Sequence, residues 1–566
     1  MDLMIFWAVL LGIISRPTFG KELGNLPHII MIIGDDMGSN DVSYRGSNQV
    51  TTPNIDALGY NGVILDKHYT QAICTPSRAA LLTGKYPIRT GMQGLPLNSG
   101  EDRHLPEGIQ TLPQLLKDLG YSTHMVGKWH LGAARRNDTP TGKGFDTHFG
   151  YWSGYVGYFD YMIQTQVESI NQVYTGFDLK EKFRDAWSEQ GKYATDLFTE
   201  KALEVIENQD KNTPMFLAVT HLAVHTGKDN LVEVKDEKVM NDSFGYIQDL
   251  TRRKYVDALL QLDQSVGLIV EKLQEQNMLE NSVVIFMSDN GAQLVGDYRN
   301  GGSNYPLRGS KSSLHDGGIR NAAVLYSPLL KQKGYVYEEI LHITDWLPTL
   351  YSLAGGDLSS LKGMDGFDQW QSISENKPSK RDEILANINE ITGYSGIIGY
   401  KGRYKIINGS ISSKHDIFGP ELEDNIDYDI PAILNSPVNK AIRQLNASQN
   451  YLNTESIQNL RKISSKLNDD NKCKNSKNRK NPEICTSFCL FDLMEDPCET
   501  ENLIEDETKQ VIISGLKARL AEFWKQLVPQ TNKPVDVNSN PAKYNGTWCT
   551  WLDDELCVKT PIKSVS

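Results

Sequence analysis

Short runs of consecutive apolar residues alternate with amphipathic stretches through the first two thirds of the chain. After its opening His28, HIIMII at 28–33 is apolar at every position rather than at every second one, as are MFLAV from Met215, VVIFM from Val283 and AAVLY from Ala322. A strand with that pattern is buried on both faces, as in the interior of a parallel sheet. Between the runs lie stretches with apolar residues three and four apart: LPQLLKDLG near Leu112, YATDLFTEKALEVIENQ near Tyr193, and a long one over residues 252–276. Strands alternating with such helices predict βαβ units and a large mixed, mostly parallel α/β sheet flanked by helices. In such sheets functional residues gather at the carboxyl ends of the strands. Two of the runs end in polar turns that carry oxygen ligands, Gly34-Asp35-Asp36 and Asp289-Asn290.

The texture changes near residue 380. GIIGYKGRYKIIN at 396–408 reads as a hairpin, residues 410–485 are polar, Asn- and Lys-rich and weakly periodic, and a helical stretch covers 508–527. This predicts a smaller C-terminal antiparallel α+β domain over 381–566, with about 410–485 as a long surface excursion. At the other end, LMIFWAVLLGII over residues 3–14 is too short to span a bilayer comfortably and has the length of a signal-peptide core, with Thr18-Phe19-Gly20 at the cleavage region. The expected organisation is a signal peptide over 1–20, a catalytic domain over 21–380 and the smaller domain thereafter. No later segment is long and apolar enough to span a membrane.

Composition narrows the partners. The chain of 566 residues is 39% apolar, with a formal net charge of -13. That balance argues against sequence-independent nucleic-acid binding, which needs a basic surface. An anionic substrate must be gripped by a local basic cluster working against the global field. Sequons at Asn241, Asn408, Asn446 and Asn545 fit glycosylation in the secretory pathway; the one at Asn137 is followed directly by Pro140. Of seven cysteines, six crowd between Cys473 and Cys557 and one, Cys74, stands alone. Six clustered cysteines in an exported chain suggest three disulfides of undetermined pairing, which leaves Cys74 as a special thiol.

The candidate chemistry lies in the same places. Asp35, Asp36, Asp289 and Asn290 form an all-oxygen set suited to a hard divalent cation such as calcium or magnesium. CTPSRAALLTGKYP begins at Cys74; Pro76 can open a helix, so Cys74 sits near a helix N-terminus, where negative charge is favoured. Arg78 adds a donor fork matched to tetrahedral oxyanions.

C-x-P-S-R followed by L-T-G resembles the signature of the type I, formylglycine-dependent sulfatases. GYSTHMVGKWHLG at 120–132, GDDMG, SDNG and Gly309-Ser310-Lys311 match that family in order and rough spacing over about the first 400 residues. DWLPTLYSLAG from Asp345 and CLFDLMEDPCETENL from Cys489 match further on, and the pattern looks most like arylsulfatase B (N-acetylgalactosamine-4-sulfatase) and its animal relatives. The resemblance implies an alkaline-phosphatase-like fold and hydrolysis of sulfate monoesters through a covalent sulfo-formylglycine intermediate. It implies that a dedicated formylglycine-generating enzyme oxidises Cys74, and that one calcium ion is bound by Asp35, Asp36, Asp289, Asn290 and the modified Cys74. It further implies that Arg78 steadies the hydrated aldehyde, that Lys128 and His130 lie beside nucleophile and sulfate, and that His225 and Lys311 serve the leaving-group side. His221 is the nearby rival of His225. The implied substrate is a sulfated glycan or a small sulfated metabolite such as a glucosinolate, and the implied location secreted or lysosomal.

Two segments depart from the family pattern: His315-Asp316-Gly317-Gly318-Ile319-Arg320 stands where a W-E-G-G-x-R type segment is common, and His225 is followed by Thr-Gly where many relatives have a proline nearby. Both put the leaving group in doubt rather than the core chemistry. The rival readings are a phosphomonoesterase of the same superfold and a non-catalytic binder of sulfated glycans in which Cys74 stays a thiol.

Overall fold

The structure is a computed structural model that describes residues 26–423, 425–445, 452–468, 482–553 and 557. The leader expected over 1–20, the sequon at Asn446 and Cys473 lie outside the described residues. The strands, in chain order, are β1 (His28–Gly34), β2 (Val63–Tyr69), β3 (Ser122–Lys128), β4 (Thr147–Tyr151), β5 (Met162–Val167), β6 (Gln172–Phe177), β7 (Lys180–Glu181), β8 (Arg184–Asp185), β9 (Met215–Thr220), β10 (Ser282–Ser288), β11 (Ala323–Tyr326), β12 (Tyr335–His342), β13 (Ile384–Ile388), β14 (Ser395–Gly399), β15 (Tyr404–Asn408) and β16 (Phe488–Asp492). Ten form one sheet in the order β12-β2-β11-β10-β1-β9-β3-β4-β7-β8, and four form a second in the order β13-β14-β15-β16. The centre of the large sheet, β10-β1-β9-β3-β4, is parallel. β11 runs antiparallel to both its neighbours, although its sequence reads like that of the parallel strands.

The unbroken apolar runs have the consequence expected of them. Ile30 and Ile32 pack with Leu217, Val219, Val284 and Phe286 in one core. Ile29, Met31 and Ile33 pack with Phe216, Val283, Ile285 and Met287 in another. Alternate side chains thus serve opposite faces, and both faces are dry. Helices Pro53–Asn61, Ala194–Glu207 and Leu250–Glu275 cover the first; Cys74–Thr83, Leu112–Asp118 and Trp346–Leu353 cover the second.

The small sheet is wholly antiparallel, and the hairpin read at 396–408 is β14–β15. Helix Gln510–Lys525 buries Ile513, Leu516, Leu520 and Phe523 against one face. The other face contributes Ile384, Ala386, Ile398 and Ile407 to a core shared with Ala72, Ile73 and Cys74, so it backs directly onto the start of helix Cys74–Thr83. The tail then returns to the β5–β6 hairpin, where Phe177 N–H donates to Gly546 O at 2.8 Å and Trp548 N–H to Phe177 O at 3.0 Å. Cys485 is bonded to Cys489 and Cys549 to Cys557, Cys498 is disulfide-bonded as well, and Cys74 is free.

The segment 410–485 departs from the surface excursion that its polarity suggests. Its described part forms helices Ile430–Leu434, Pro437–Leu445 and Thr454–Ser464. Ile433, Val438, Ile442, Ile457 and Leu460 enter the core on the first face of the large sheet. About one apolar residue per turn anchors each helix, which is too sparse to stand out among the Asn and Lys around it. No helix of the described residues is long and apolar enough to cross a membrane.

Helix Pro53–Asn61 is capped from a distance. Thr52 at its N-cap makes no side-chain cap bond. Instead, buried Asp263 on helix Leu250–Glu275 accepts from Asn54 N–H at 3.0 Å and Ile55 N–H at 2.8 Å. Burial pushes the Asp263 carboxyl up to about 7. Replacing Asp263 by Ala leaves these two amides buried without an acceptor and should cost about 2–4 kcal/mol, read as a lower melting temperature. Because the folded state holds this proton over a window where the unfolded chain has released it, the Asp263 contribution weakens as pH rises toward 7 and is flat above. Asp263→Asn should flatten that slope; an unchanged melting curve in both variants would count against the cap.

Candidate active site

Strand register assembles the site. Gly34 lies opposite Ser288 in the parallel β1–β10 pair. The next residues, Asp35 and Asp289, therefore leave the sheet side by side, with Asp289 N–H donating to Gly34 O at 3.2 Å. Asp36 N–H donates to Asp289 Oδ1 at 3.3 Å, and Asn290 Nδ2 to Asp36 Oδ1 at 2.7 Å. On the other side of β1, the turn after β9 closes against Asp35: Asp35 N–H donates to Ala223 O and Val224 N–H to Asp35 O, both at 3.0 Å. That turn carries His225. β3 pairs with β9 through Gly127 and Thr220, which brings Lys128 to the same edge.

Three buried carboxylates meet three buried cations here. Lys128 Nζ lies 2.6 Å from Asp35 Oδ2, and Lys311 Nζ 2.8 Å from Asp36 Oδ2. Arg78 places Nε at 3.1 Å and Nη2 at 2.9 Å from Asp289 Oδ2, and its Nη1 donates to Lys128 O at 2.9 Å. Burial would raise all three carboxyls. For Asp35 the neighbouring Lys128, His225 and Arg78 outweigh it and hold the group below the usual range; for Asp36, Lys311 and His225 do the same. Asp289 is pushed up by burial and by Asp35. Unpaired, such charges would not be tolerated in a site this dry.

Cys74 is the first residue of helix Cys74–Thr83 and is 1% exposed. Burial pushes its thiol up, against the pull of Lys128 and Lys311. As a plain cysteine it is held as the neutral thiol, a weak nucleophile.

The histidines sort cleanly. His221 Nε2 lies 3.0 Å from Ser265 Oγ on helix Leu250–Glu275, and burial lowers the ring to about 3; it is a core residue turned away from the acidic cluster. His225 Nε2 lies 3.3 Å from Lys311 Nζ and 3.5 Å from Asp36 Oδ2. Its Nδ1 is 2.7 Å from Thr226 O, and since a carbonyl can only accept, Nδ1 carries hydrogen and Nε2 is the working nitrogen. His130 shows the reverse tautomer. Its Nε2 donates to Leu97 O at 2.9 Å, and its Nδ1 is buried with no partner. Burial, reinforced by Lys128, keeps His130 well below the ordinary histidine value.

All ten residues named for catalysis and metal binding thus converge on one edge of the sheet. Asp36, His130 and Ser312, beside Lys311, have left-handed φ values of 56°, 63° and 79°. Such backbone costs of order 1–3 kcal/mol each and collects where geometry serves a site. The sequence reading passed over three neighbours. Asn300 donates Nδ2 to Asp36 O at 2.8 Å. Tyr155 stacks on the His225 ring at 5.5 Å, and Tyr298 packs against Tyr155. All three sit in Gly- and aromatic-rich loops with no periodicity to betray them. Among the sequons, Asn241 and Asn545 are exposed, while Asn408 is half-buried and donates Nδ2 to Gly393 O at 3.3 Å.

The donor set fits a hard divalent cation. Asp35, Asp36 and Asp289 each offer an oxygen within 4.8 Å of the others. Asp35 Oδ1 and Asn290 Oδ1 are buried with no hydrogen-bond partner, so two oxygens remain unspent within the cluster.

Comparison with known proteins agrees with this geometry. The sulfatase family profile matches residues 27–356. Arylsulfatase J of Mus musculus is 35% identical over 96% of this chain and 83% of its own length. N-acetylgalactosamine-6-sulfatase of Homo sapiens is 31% identical over 60% of this chain and 65% of its own length. In fold, the PsFucS1 sulfatase from Pseudoalteromonas sp. superposes with a TM-score of 0.63 at 21% identity, covering 90% of this chain and 93% of that one. The chain belongs to the sulfatase family. It is a sulfuric ester hydrolase, in a family that works with a formylglycine and a metal ion; the likeness does not single out arylsulfatase B.

A ligand that binds only the folded state raises its melting temperature. Titrating calcium or magnesium chloride into the protein should therefore raise the melting temperature, and Asp35→Asn should shrink the rise. An equal rise in both would place the cation elsewhere.

Proposed function

We propose that this chain hydrolyses sulfate monoesters at the cluster around Cys74, with one calcium ion held by Asp35, Asp36, Asp289, Asn290 and the modified residue 74. The observation that carries the reading is a buried cysteine at a helix N-terminus on which the charges of Lys128, Lys311, Asp35 and Asp289 bear. When present, the cation supplies charge neutralisation beside the ester, and the formylglycine supplies a hydrated aldehyde with one hydroxyl to attack sulfur and a second to let sulfate depart.

The remaining chemistry belongs to side chains. Lys128 and Lys311 neutralise the sulfonate oxygens as charge moves toward the leaving group. Arg78, tied to Asp289 and to the Lys128 carbonyl, holds the anion end of the site in register. The departing oxygen takes its proton at the Nε2 edge of His225, where Lys311 Nζ at 3.3 Å is the donor that charges the ring or the leaving oxygen, the His225 Nδ1–H being fixed on Thr226 O. His130, with Nε2 committed to Leu97 O, offers the Nδ1 lone pair as the base for the release step. The names of the relatives favour a sulfated hexosamine or another sulfated ring as substrate. The disulfides Cys485–Cys489 and Cys549–Cys557 support passage through an oxidising secretory compartment, as a secreted or lysosomal enzyme.

Mass spectrometry of the peptide that carries residue 74, from protein made in a competent secretory host, should give the aldehyde mass. Cys74→Ala should abolish turnover of 4-nitrophenyl sulfate without moving the melting temperature. A plain thiol in active protein, or faster turnover of 4-nitrophenyl phosphate, would sink the reading. His225→Ala should lower kcat about 10²–10⁴-fold, the usual range for a proton-transfer residue. His221→Ala should lower stability and leave kcat close to wild type; the opposite ranking would exchange their roles.

A further inference from the structure

The His225 ring has aromatic neighbours that proton transfer alone does not call for. Tyr155 stacks on it, centroids 5.5 Å apart and planes 11° apart. Tyr298 meets Tyr155 edge-on at 5.5 Å and 60°, and lies 6.4 Å from the imidazole. The two phenol oxygens are 3.1 Å apart, so the pair is joined by a hydrogen bond as well as by ring contact. Tyr155 is packed against the main core.

The loop that carries Tyr298 is tied down at the two residues that follow it, and at Asn300 it is tied to the site. Asn300 donates Nδ2 to Asp36 O at 2.8 Å and to Val224 O at 3.3 Å, which ties the loop to the acidic strand end and to the turn that bears His225. Arg299 pairs with Asp249 at 2.7 Å. In spite of these tethers Tyr298 is 41% exposed. A large ring anchored through its hydroxyl and through the tethers of the residues after it, set beside the imidazole and left open to solvent, has the form of a stacking surface that awaits an occupant.

We propose that Tyr298 is the wall on which the leaving group stacks, with Tyr155 as the positioning residue that holds both Tyr298 and the His225 ring. The group on the ester oxygen would then present a flat apolar face, either an aromatic ring or the C–H face of a pyranose. The proposal deepens the reading above and rests on His225 serving the leaving-group side. Because Nδ1 of His225 is committed to Thr226 O, the departing oxygen must lie at the Nε2 edge. A ring attached to that oxygen then extends beside Tyr298. A bare sulfate ion fills the anion end of the site and has no part that reaches the tyrosine.

The test uses the full-length enzyme and its Tyr298→Ala, Tyr298→Phe and Tyr155→Phe variants. KM and kcat are measured with 4-nitrophenyl sulfate and with a sulfated N-acetylgalactosamine monosaccharide, and Ki with inorganic sulfate as the occupant that lacks a ring. Tyr298→Ala should raise KM about tenfold for the preferred ring, the scale of one aromatic stacking contact together with its buried area, while kcat stays within about twofold and the sulfate Ki does not move. Tyr298→Phe and Tyr155→Phe each lose the shared hydroxyl contact but keep both rings, so both should keep KM near wild type. A larger rise with the aryl ester assigns an aromatic leaving group, and a larger rise with the monosaccharide assigns a pyranose. Equal rises in KM and sulfate Ki would make Tyr298 a structural part of the anion site and overturn the proposal, as would an unmoved KM in Tyr298→Ala. Failure of the wild-type enzyme to turn over either ester would instead remove the reading on which the proposal rests.

Discussion

Everything at this site follows from one pairing, the parallel register that sets Gly34 of β1 opposite Ser288 of β10. It forces Asp35, Asp36 and Asp289 into a common space from which water is excluded. Three carboxylates in such surroundings are tolerable only beside matching positive charge, and Lys128, Lys311 and Arg78 come to them from three separate parts of the chain. The basic cluster that an acidic protein needs in order to hold an anion is thus the same set of groups that lets the acidic strand ends exist. A one-residue slip between β1 and β10 would separate the carboxylates and turn each apolar run to the wrong core.

The second sheet is part of this arrangement. The loop that bears Lys311 is stitched to the C-terminal region by Gly309 N–H on Ile417 O, Ser310 N–H on His415 O and Leu314 N–H on Tyr394 Oη. Just beyond it, buried Lys405 of β15 lies between Asp316 and Glu499, and Glu499 also meets His315 at 3.0 Å. The His-Asp-Gly-Gly segment that departs from the family pattern is therefore a joint between the two sheets. One of the three cations depends on it, because the position of Lys311 is fixed by contacts that lie after residue 390.

Much of this was open to reading from the chain. Unbroken apolar runs such as HIIMII can only be strands buried on both faces, and the turns that follow them carry the oxygen ligands. Cysteine parity singled out Cys74, and the CTPSR and GKWH segments supplied Arg78, Lys128 and His130. Other features were closed to it for physical reasons. The helices over 430–464 anchor through too few apolar residues to show a period. Asn300, Tyr155 and Tyr298 act through tertiary placement of loops, which leaves no pattern along the sequence. His221 and His225 are four residues apart after the same strand, and only the packing of Ser265 against one and of Lys311 against the other tells them apart.

Cys74 is 1% exposed and shares a core with the inner face of the second sheet, including Ile384, Ile398 and Ile407. No second protein can reach that sulfur once the two sheets have closed over it. On the proposed reading, oxidation of the thiol must therefore precede the closure of the two sheets. On that reading, a chain that folds with the thiol intact keeps it sealed in this core. The specific activity of a preparation, on that reading, reports how the timing of folding compares with that of the modification as well as the quality of the site.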